Sequence, residues 1–288
     1  MQVISAKTAG FCFGVKNAVD TVFEQIQAHR GKKIYTYGPI IHNGEVIKQL
    51  EQEGVVVLNS RDALAALTEG VVIIRSHGVE KSIYDLAKSR GLEIVDATCP
   101  FVTKIHKIVQ KESEAGSFIL IVGDPKHPEV QGIQGWIAGS SVVVQTPKDL
   151  EGILLLDDLK ICIVAQTTFN YNKFQDIVEI VAKKGYNVSV LNTICNATKE
   201  RQEEAKEIAE VVEVMIVIGD KHSSNTQKLF EICQNACKAT YYIQTLEDLN
   251  LNQLRLVETV GITAGASTPN TIIEEVQSKC QSYLLNRC

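Results

Sequence analysis

Three isolated cysteines are the residues of this chain whose type and spacing most clearly favour a metal centre. Cys12, Cys99 and Cys195 each follow an apolar, strand-like run and precede a helical pattern. None belongs to a CxxC pair, and the spacings of 87 and 96 residues are too long for a local metal-binding loop. Such spacings suit three similar domains that each contribute one ligand to a shared centre.

Three thiolates support a different chemistry from four. Four-iron clusters that only transfer electrons normally have four cysteine ligands, whereas three cysteines leave one iron open to water or substrate. An open iron combines Lewis acidity with a store of electrons. Zinc is the main competitor, although it would need a fourth protein ligand and its ligands usually come in short paired spacings. The spacing alone favours an iron–sulfur centre modestly, and zinc or three unrelated core thiols stay open as alternatives.

An internal repeat indicates how the cysteines are positioned. After each cysteine the same order of helical and strand-like patterns returns, with a polar loop after the first strand. The loop histidines His42, His127 and His222 follow the cysteines by 30, 28 and 27 residues. The last strand of the three copies ends, after 65, 68 and 72 residues, at His77, Thr167 and Ser267.

Alternation of strands and helices predicts an α/β fold with mostly parallel sheets. We expect three similar domains over residues 11–96, 97–192 and 193–288, with a strand in residues 1–10 completing the third. In parallel sheets, ligands collect beyond the carboxyl ends of the strands, where the repeat places its polar residues. Three such domains around a pseudo-threefold axis, a trefoil, would direct these residues into one central cavity.

The loops between strands and helices carry groups that suit a small anion. His42, His127 and the run Ser223, Ser224 and Asn225 stand where helices begin, so their side chains would join unpaired backbone N–H groups. Without a cluster of Lys or Arg, such donors fit a small phosphate-bearing ligand better than a polynucleotide. Simple helix capping by Ser and Asn is the alternative. Repetition at three strand ends favours the ligand.

Glu129 is the carboxylate best placed to donate a proton in that cavity, because it follows the loop histidine His127 by two residues. The alternative is a first-turn glutamate that the helix dipole stabilises. Other residues of these types have plainer roles. His29 and His106 lie in helical stretches and are expected to be packed or solvated. Three further cysteines are expected to serve as packing residues in the core or at the surface, namely Cys162, Cys233 and Cys280.

The composition describes an ordinary, mildly acidic protein. A formal charge of −5, 45% hydrophobic residues and the lack of a Lys/Arg block argue against nucleic acid as a partner. Neither a signal-like N-terminus nor an apolar run long enough to span a bilayer is evident in the sequence. We therefore expect a cytoplasmic protein without a membrane partner.

Eight motifs occur in a fixed order over nearly the whole chain: AGFCFGVKNAV, GPIIHN, RSHGV, VDATCPFV, GDPKHPEVQG, QTT, SSNT and GASTP. In these motifs the chain resembles the 4-hydroxy-3-methylbut-2-enyl diphosphate reductases, which act last in the non-mevalonate isoprenoid pathway. The resemblance implies a three-domain α/β trefoil with a central cavity. It also implies one 4Fe–4S cluster per chain, bound by three cysteines.

The resemblance further implies roles for individual residues. Cys12, Cys99 and Cys195 would ligate the cluster. Glu129 would supply protons, and the pair Thr167 and Thr168 would lie near the reacting allylic alcohol. The residues that would hold the diphosphate are His42, His77, His127, Ser223, Ser224, Asn225 and Ser267; His127 and Thr167 would also assist catalysis.

The activity implied is reductive dehydroxylation of 4-hydroxy-3-methylbut-2-enyl diphosphate to isopentenyl and dimethylallyl diphosphate. A small ferredoxin or flavodoxin would donate the electrons. Two other classes use the same cysteines. An open-iron dehydratase would need no external electrons, and a non-catalytic iron–sulfur sensor would need a partner surface or a DNA-binding module, for which the three copies leave no segment.

Overall fold

The computed structural model describes residues 2–153 and 159–285. In these residues, twelve strands form three four-stranded sheets in which all neighbouring strands are parallel. The strands are β1 (Gln2–Ser5), β2 (Ile34–Tyr37), β3 (Val56–Leu58), β4 (Val71–Ile74), β5 (Glu93–Asp96), β6 (Phe118–Val122), β7 (Ser141–Val144), β8 (Lys160–Ala165), β9 (Asn187–Val190), β10 (Val214–Ile218), β11 (Thr240–Ile243) and β12 (Thr259–Ala264).

Helices connect the strands of each sheet. They are α1 (Phe13–Ala28), α2 (Gly44–Gln52), α3 (Arg61–Ala65), α4 (Lys81–Ser89), α5 (Pro100–Glu114), α6 (Pro128–Gln134), α7 (Tyr171–Lys183), α8 (Asn196–Ala209), α9 (Ser224–Ala236) and α10 (Asn270–Leu285). Three short 3₁₀ segments lie at Pro147–Leu150, Leu246–Asp248 and Leu251–Leu254.

The three sheets share one strand order. Sheet I is β3-β2-β4-β5, sheet II is β7-β6-β8-β9, and sheet III is β11-β10-β12-β1. The N-terminal strand β1 thus takes, in sheet III, the place that β5 and β9 take in the other two, and it pairs with β12. This regularity confirms the predicted α/β class with three similar parallel sheets.

Apolar runs form the central strands because both faces of each sheet are covered. In β6, Leu120 and Val122 pack into one hydrophobic cluster, whereas Ile119 and Ile121 pack into another. All four residues of β4 and all five of β10 are buried. A strand covered on both sides reads as a continuous apolar run rather than an alternating one. The polar groups that could bind a ligand are therefore found after the strands.

The chain divides into two compact units. The terminal unit comprises Met1–Phe13, His42–Val46 and Asn196–Cys288 and contains sheet III. The middle unit comprises Gly14–Ile41 and Ile47–Cys195 and contains sheets I and II. The finer boundaries 11–96, 97–192 and 193–288 stay a prediction, and residues 286–288 of the last range lie outside the described residues.

Candidate active site

Each of the three isolated cysteines immediately precedes a helix. Helix α1 begins directly after Cys12, α5 directly after Cys99 and α8 directly after Cys195. All three side chains are partly exposed, and the thiols of Cys162, Cys233 and Cys280 are buried. Burial raises the pKa of those three core thiols to between about 11 and about 12. The core cysteines are thus protonated packing residues, as predicted, whereas the helix-start cysteines reach the surface in part.

The backbone holds these three cysteines in the same way. The amide of Cys99 donates to the carbonyl of Ser76 at 3.0 Å, and the amide of Cys195 donates to that of Thr167 at 3.1 Å. In the terminal unit, the amide of Cys12 donates to the carbonyl of Ala266 at 3.3 Å. Every acceptor lies just beyond the third strand of its repeat. The repeat found in the sequence is therefore also a repeat of hydrogen bonds.

A tight turn after the last strand of each copy corrects one predicted correspondence. The turns close through bonds of Gly78 N to Arg75 O (2.9 Å), Phe169 N to Gln166 O (3.0 Å) and Thr268 N to Gly265 O (3.1 Å). In this register Thr168, rather than Thr167, matches His77 and Ser267. The sequence alone does not show which of the two adjacent threonines is the equivalent residue, and the hydrogen bonds decide it.

The polar loop after the first strand of each copy corrects a second predicted correspondence between the repeats. His127 N donates to Asp124 O, and Ser223 N donates to Asp220 O, each at 3.0 Å. Ser223 therefore corresponds to His127. His222 lies one residue before the position that is equivalent to His127. His222 is exposed, whereas Ser223 is buried and caps α9 by accepting from Thr226 N at 3.3 Å.

Glu129, in the first turn of α6, has a buried carboxyl group with a raised pKa. Its side chain is 1% exposed. One carboxyl oxygen accepts from the amide of Thr167 at 2.6 Å and the other accepts from the Thr167 hydroxyl at 2.7 Å. Burial raises the pKa of Glu129 to about 7, although the two bonds from Thr167 act in the opposite direction. The carboxyl can therefore carry or release a proton near neutral pH.

His127 contacts the backbone of Glu129, and His77 contacts His127. His127 precedes α6, and its Nδ1 accepts from the amide of Glu129 at 3.1 Å, so the ring carries any single proton on Nε2. The rings of His77 and His127 meet edge to face, with centroids 5.5 Å apart and an angle of 80°. Thr168 Oγ1 accepts from Gln166 Nε2 at 3.0 Å. Contacts between neighbours thus bring four predicted site residues together: His77, His127, Glu129 and Thr167.

The segment that follows His77 packs closely against the end of α6. Gly135, just after α6, leaves no room for a Cβ beside Glu80, and Trp136 Nε1 donates to the carbonyl of Val79 at 2.9 Å. The Trp136 ring also stacks on His106 with centroids 5.1 Å apart. Burial lowers the pKa of His106 to about 4, so this histidine is a neutral packing residue, in agreement with its helical position.

A glycine at the beginning of α1 makes room for the Cys99 thiol. A Cβ added at Gly14 would lie 2.5 Å from Cys99 Sγ. Any side chain there would displace the sulfur. Gly14 thus belongs to the surroundings of a predicted ligand, and its place within AGFCFG is the signal that could have identified it.

The terminal unit contains a related arrangement around Asn225. Asn225 Oδ1 accepts from the amide of Ala266 at 3.0 Å, in the position that Glu129 occupies relative to Thr167. Its Nδ2 and the hydroxyl of Ser267 are buried and have no hydrogen-bond partner among residues 2–153 and 159–285. Buried polar atoms without partners are rare in native proteins and often indicate an absent ligand or water. Ser224, next to Asn225, is the first residue of α9.

Asp220 connects this region to the loop that carries His42. Its carboxyl oxygens accept from the amides of Gly44 at 3.1 Å and His222 at 2.8 Å, all within the terminal unit. His42 lies two residues before Gly44. Between them, the side-chain oxygen of Asn43 accepts from Val46 N at 3.1 Å. Sequence reasoning missed Asp220, although the repeated GDPK and GDKH after two strands is the signal that would have found it.

Comparison with known proteins decides the family. The model of the LytB protein family matches residues 3–281. The chain belongs to the LytB family. This membership confirms the resemblance seen in the eight motifs.

Among the described residues, none of the helices is long and apolar enough to cross a membrane.

Two LytB family relatives are similar over almost their full length. One is the 4-hydroxy-3-methylbut-2-enyl diphosphate reductase of Alkaliphilus oremlandii, 47% identical over 277 residues, covering 96% of this chain and 98% of the relative. The other is the reductase of the same name from Caldanaerobacter subterraneus, 43% identical over 282 residues, covering 98% and 97%.

Solved structures agree with this assignment. A Plasmodium falciparum E-1-hydroxy-2-methyl-but-2-enyl-4-diphosphate reductase matches with a TM-score of 0.91 at 28% identity, covering 96% of this chain and 87% of that one. A structure of (E)-4-hydroxy-3-methyl-but-2-enyl diphosphate reductase, described as the terminal enzyme of the non-mevalonate pathway, matches with a TM-score of 0.71 at 42% identity, covering 98% and 100%.

Proposed function

We propose that this chain is an enzyme that reductively dehydroxylates 4-hydroxy-3-methylbut-2-enyl diphosphate to isopentenyl and dimethylallyl diphosphate. Family membership supports the reaction, since the relatives of 43% and 47% identity bear that name. The structural observation that carries the proposal is the buried Glu129 carboxyl, whose pKa is raised to about 7 by burial. The reaction consumes two electrons and two protons, and water leaves as a C–O bond is replaced by a C–H bond.

Glu129 is the proton donor in this proposal. A general acid works best when its pKa lies near the working pH, because protonated groups are then abundant and release their proton readily. Thr167 orients the carboxyl group through its two hydrogen bonds. Thr168 contacts the substrate beside it, and His127, whose Nδ1 accepts from the Glu129 amide, carries its proton on Nε2.

The diphosphate is bound by neutral or weakly basic donors. Asn225 Nδ2 and Ser267 Oγ support this, because both are buried without a partner in the described part of the chain and an anionic oxygen would satisfy them. The first turn of α9 adds backbone N–H groups with the helix dipole behind them. We assign diphosphate binding to His42, His77, His127, Ser223, Ser224, Asn225 and Ser267.

A 4Fe–4S cluster on Cys12, Cys99 and Cys195 is the cofactor we propose, one per chain. The donor set fits, since these thiols are partly exposed, directly precede helices, and stand apart from the buried core thiols. The missing side chain at Gly14 makes room for the Cys99 sulfur itself, since a Cβ there would lie 2.5 Å from Sγ. When bound, the cluster would supply electrons and one open coordination position.

Metal content tests the cofactor. Protein purified without oxygen is analysed for iron, acid-labile sulfide and zinc, and the same analysis is repeated on the single variants Cys12→Ser, Cys99→Ser and Cys195→Ser. We expect about four irons and four sulfides in the parent and a strong loss in each variant. Cys162→Ala, a matched change at a buried core thiol, should keep the full content. Zinc without iron in the parent would refute the assignment.

Turnover tests the reaction. The holoenzyme is given the hydroxylated diphosphate with and without a chemical reductant, and products are identified by mass spectrometry. We expect isopentenyl and dimethylallyl diphosphate only with reductant. Loss of water without reductant, which would give a product two hydrogens poorer than isopentenyl diphosphate, would instead identify a dehydratase. A small ferredoxin or flavodoxin is the donor class we propose for the natural reaction.

A further inference from the structure

Helix α5, which begins directly after Cys99, carries a row of exposed lysines. Lys104, Lys107 and Lys111 are exposed, and at 100° per residue they lie within an arc of about 60° on one side of the helix. None has a carboxylate within 4.0 Å among residues 2–153 and 159–285. The formal charge of the whole chain is −5, so this row opposes the general charge of the molecule.

The other two helices that follow a site cysteine differ in this respect. On α1, Lys16 pairs with Asp20 at 2.6 Å. On α8, Lys199 pairs with Glu203 at 3.7 Å, and Lys206 pairs with Glu210 at 3.6 Å. Intrahelical pairs cancel most of the field that a lysine presents to a partner. The basic row is therefore a property of α5 and not a general feature of these helices.

An exposed aromatic side chain stands at the cysteine end of the row. Phe101 is 43% exposed, two residues after Cys99. Beside it, a surface depression of about 420 Å³ is lined by Asp96, Thr98, Pro100, Thr103, Lys104 and Lys107. Asp96 is the one acid there, and it already accepts from the Tyr84 hydroxyl at 2.9 Å. An apolar contact next to unpaired cations is the composition of a small, transient protein interface.

We propose that this face of α5, defined by Phe101, Lys104, Lys107 and Lys111, is the docking site for a small acidic electron-carrier protein. The inference rests on the proposed function, which requires electrons at a centre held in part by Cys99. Charge complementarity selects the partner, because an acidic carrier would be repelled by the rest of a net acidic chain and attracted here. Such charges act mainly on the association rate, which suits a carrier that must bind and leave at each turnover.

The test compares two ways of reducing the same holoenzyme. The variant Lys104→Glu/Lys107→Glu/Lys111→Glu is assayed with reduced flavodoxin and, separately, with saturating dithionite. At low salt we expect kcat/KM for flavodoxin to fall by about 10- to 100-fold, with less loss at high salt because ions screen the charges. Turnover with dithionite should stay within about twofold. Phe101→Ser should shorten the lifetime of the flavodoxin complex.

A second triple variant controls for net charge. Lys48→Glu/Lys148→Glu/Lys183→Glu changes three exposed lysines elsewhere and gives the chain the same formal charge. The dissociation constant of oxidised flavodoxin, measured by calorimetry, adds a readout that is independent of turnover. An equal loss of flavodoxin binding in both triple variants, or none in either, would overturn the docking site. Absence of turnover in the parent with dithionite would instead overturn the proposed reaction, whatever the binding result.

Discussion

The second and third repeats place different side chains in the same backbone frame. In the second, the carboxyl of Glu129 accepts from the amide and the hydroxyl of Thr167. In the third, the amide oxygen of Asn225 accepts from the amide of Ala266, which has no hydroxyl, and Asn225 Nδ2 is left without a partner among the described residues. One position thus holds a titratable, fully bonded carboxyl, and the other holds a neutral donor.

This difference shows how a repeated fold can divide a reaction between its copies. The same backbone contact occurs in the two repeats, so both side chains are held at the equivalent position after the third strand. Burial then acts on each according to its chemistry. It raises the pKa of the Glu129 carboxyl to about 7, and it leaves the Asn225 amide with an unsatisfied donor that an anion would satisfy. We infer a proton-transfer role for the first and an anion-binding role for the second.

Converting the carboxyl of the second repeat into an amide should have the largest effect. In Glu129→Gln the hydrogen bond from the Thr167 amide can persist, but no acidic proton remains. We expect kcat to fall by about 10²- to 10⁴-fold with a small change in KM, as for loss of a general acid. Steady-state kinetics with saturating dithionite measure this. Full turnover in the variant would contradict the assignment of Glu129.

The reciprocal change in the third repeat should affect binding rather than the chemical step. Asn225→Asp replaces a donor with a negative charge near the proposed diphosphate site. We expect the affinity for inorganic diphosphate, measured by calorimetry, to drop by about 10- to 100-fold, as when a hydrogen bond to a charged group is lost. Asn250→Asp, the same change at the cap of a 3₁₀ segment, should bind normally. Equal losses in both variants would remove the special role of Asn225.

The raised pKa of Glu129 predicts how activity depends on pH. The protonated donor is abundant below pH 7 and is lost above it, so kcat should fall about tenfold per pH unit well above about 7. Burial favours the protonated, neutral form of Glu129 in the folded chain. In the unfolded chain the exposed carboxyl has its ordinary pKa of 4.5. Stability contributed by this group should therefore be present below pH 4.5 and be lost as the pH rises through about 7.

Urea unfolding of the parent and of Glu129→Gln at pH 5 and pH 8 separates this contribution from other titrating groups. We expect the parent to lose stability relative to the variant by on the order of 3 kcal/mol between the two pH values. A difference that does not change with pH would show that Glu129 titrates at its ordinary pKa.

The smallest effect is expected from removing the Thr167 hydroxyl, which distinguishes the second repeat from the third. Thr167→Ala gives the second repeat the alanine of the third and removes the hydroxyl that lowers the pKa of Glu129. The decline of kcat should therefore move to higher pH, and stability should fall by about 1 kcal/mol, the net value of one hydrogen bond. Thr167→Ser, which keeps the hydroxyl, should restore the original pH profile. A profile unchanged in Thr167→Ala would show that the hydroxyl does not tune the carboxyl.

The sequence by itself determined the framework. Periodic apolar positions and the spacing of Cys12, Cys99 and Cys195 predicted three similar α/β repeats with the cysteines at the starts of helices, because such patterns are local properties of the chain. The eight motifs also identified the family. The assignments of ligands and substrate-binding residues stay predictions for the variants above to test.

Only the tertiary structure decided which side chains correspond and what their surroundings do to them. It showed that Thr168 and Ser223, not Thr167 and His222, occupy the repeated positions, because the repeats are aligned by backbone hydrogen bonds of the turns, which the sequence does not display. It also showed that Glu129 is buried against Thr167, 38 residues away in sequence. A pKa depends on desolvation and partners brought together by folding, so no local pattern could have predicted that this glutamate would titrate near neutral pH.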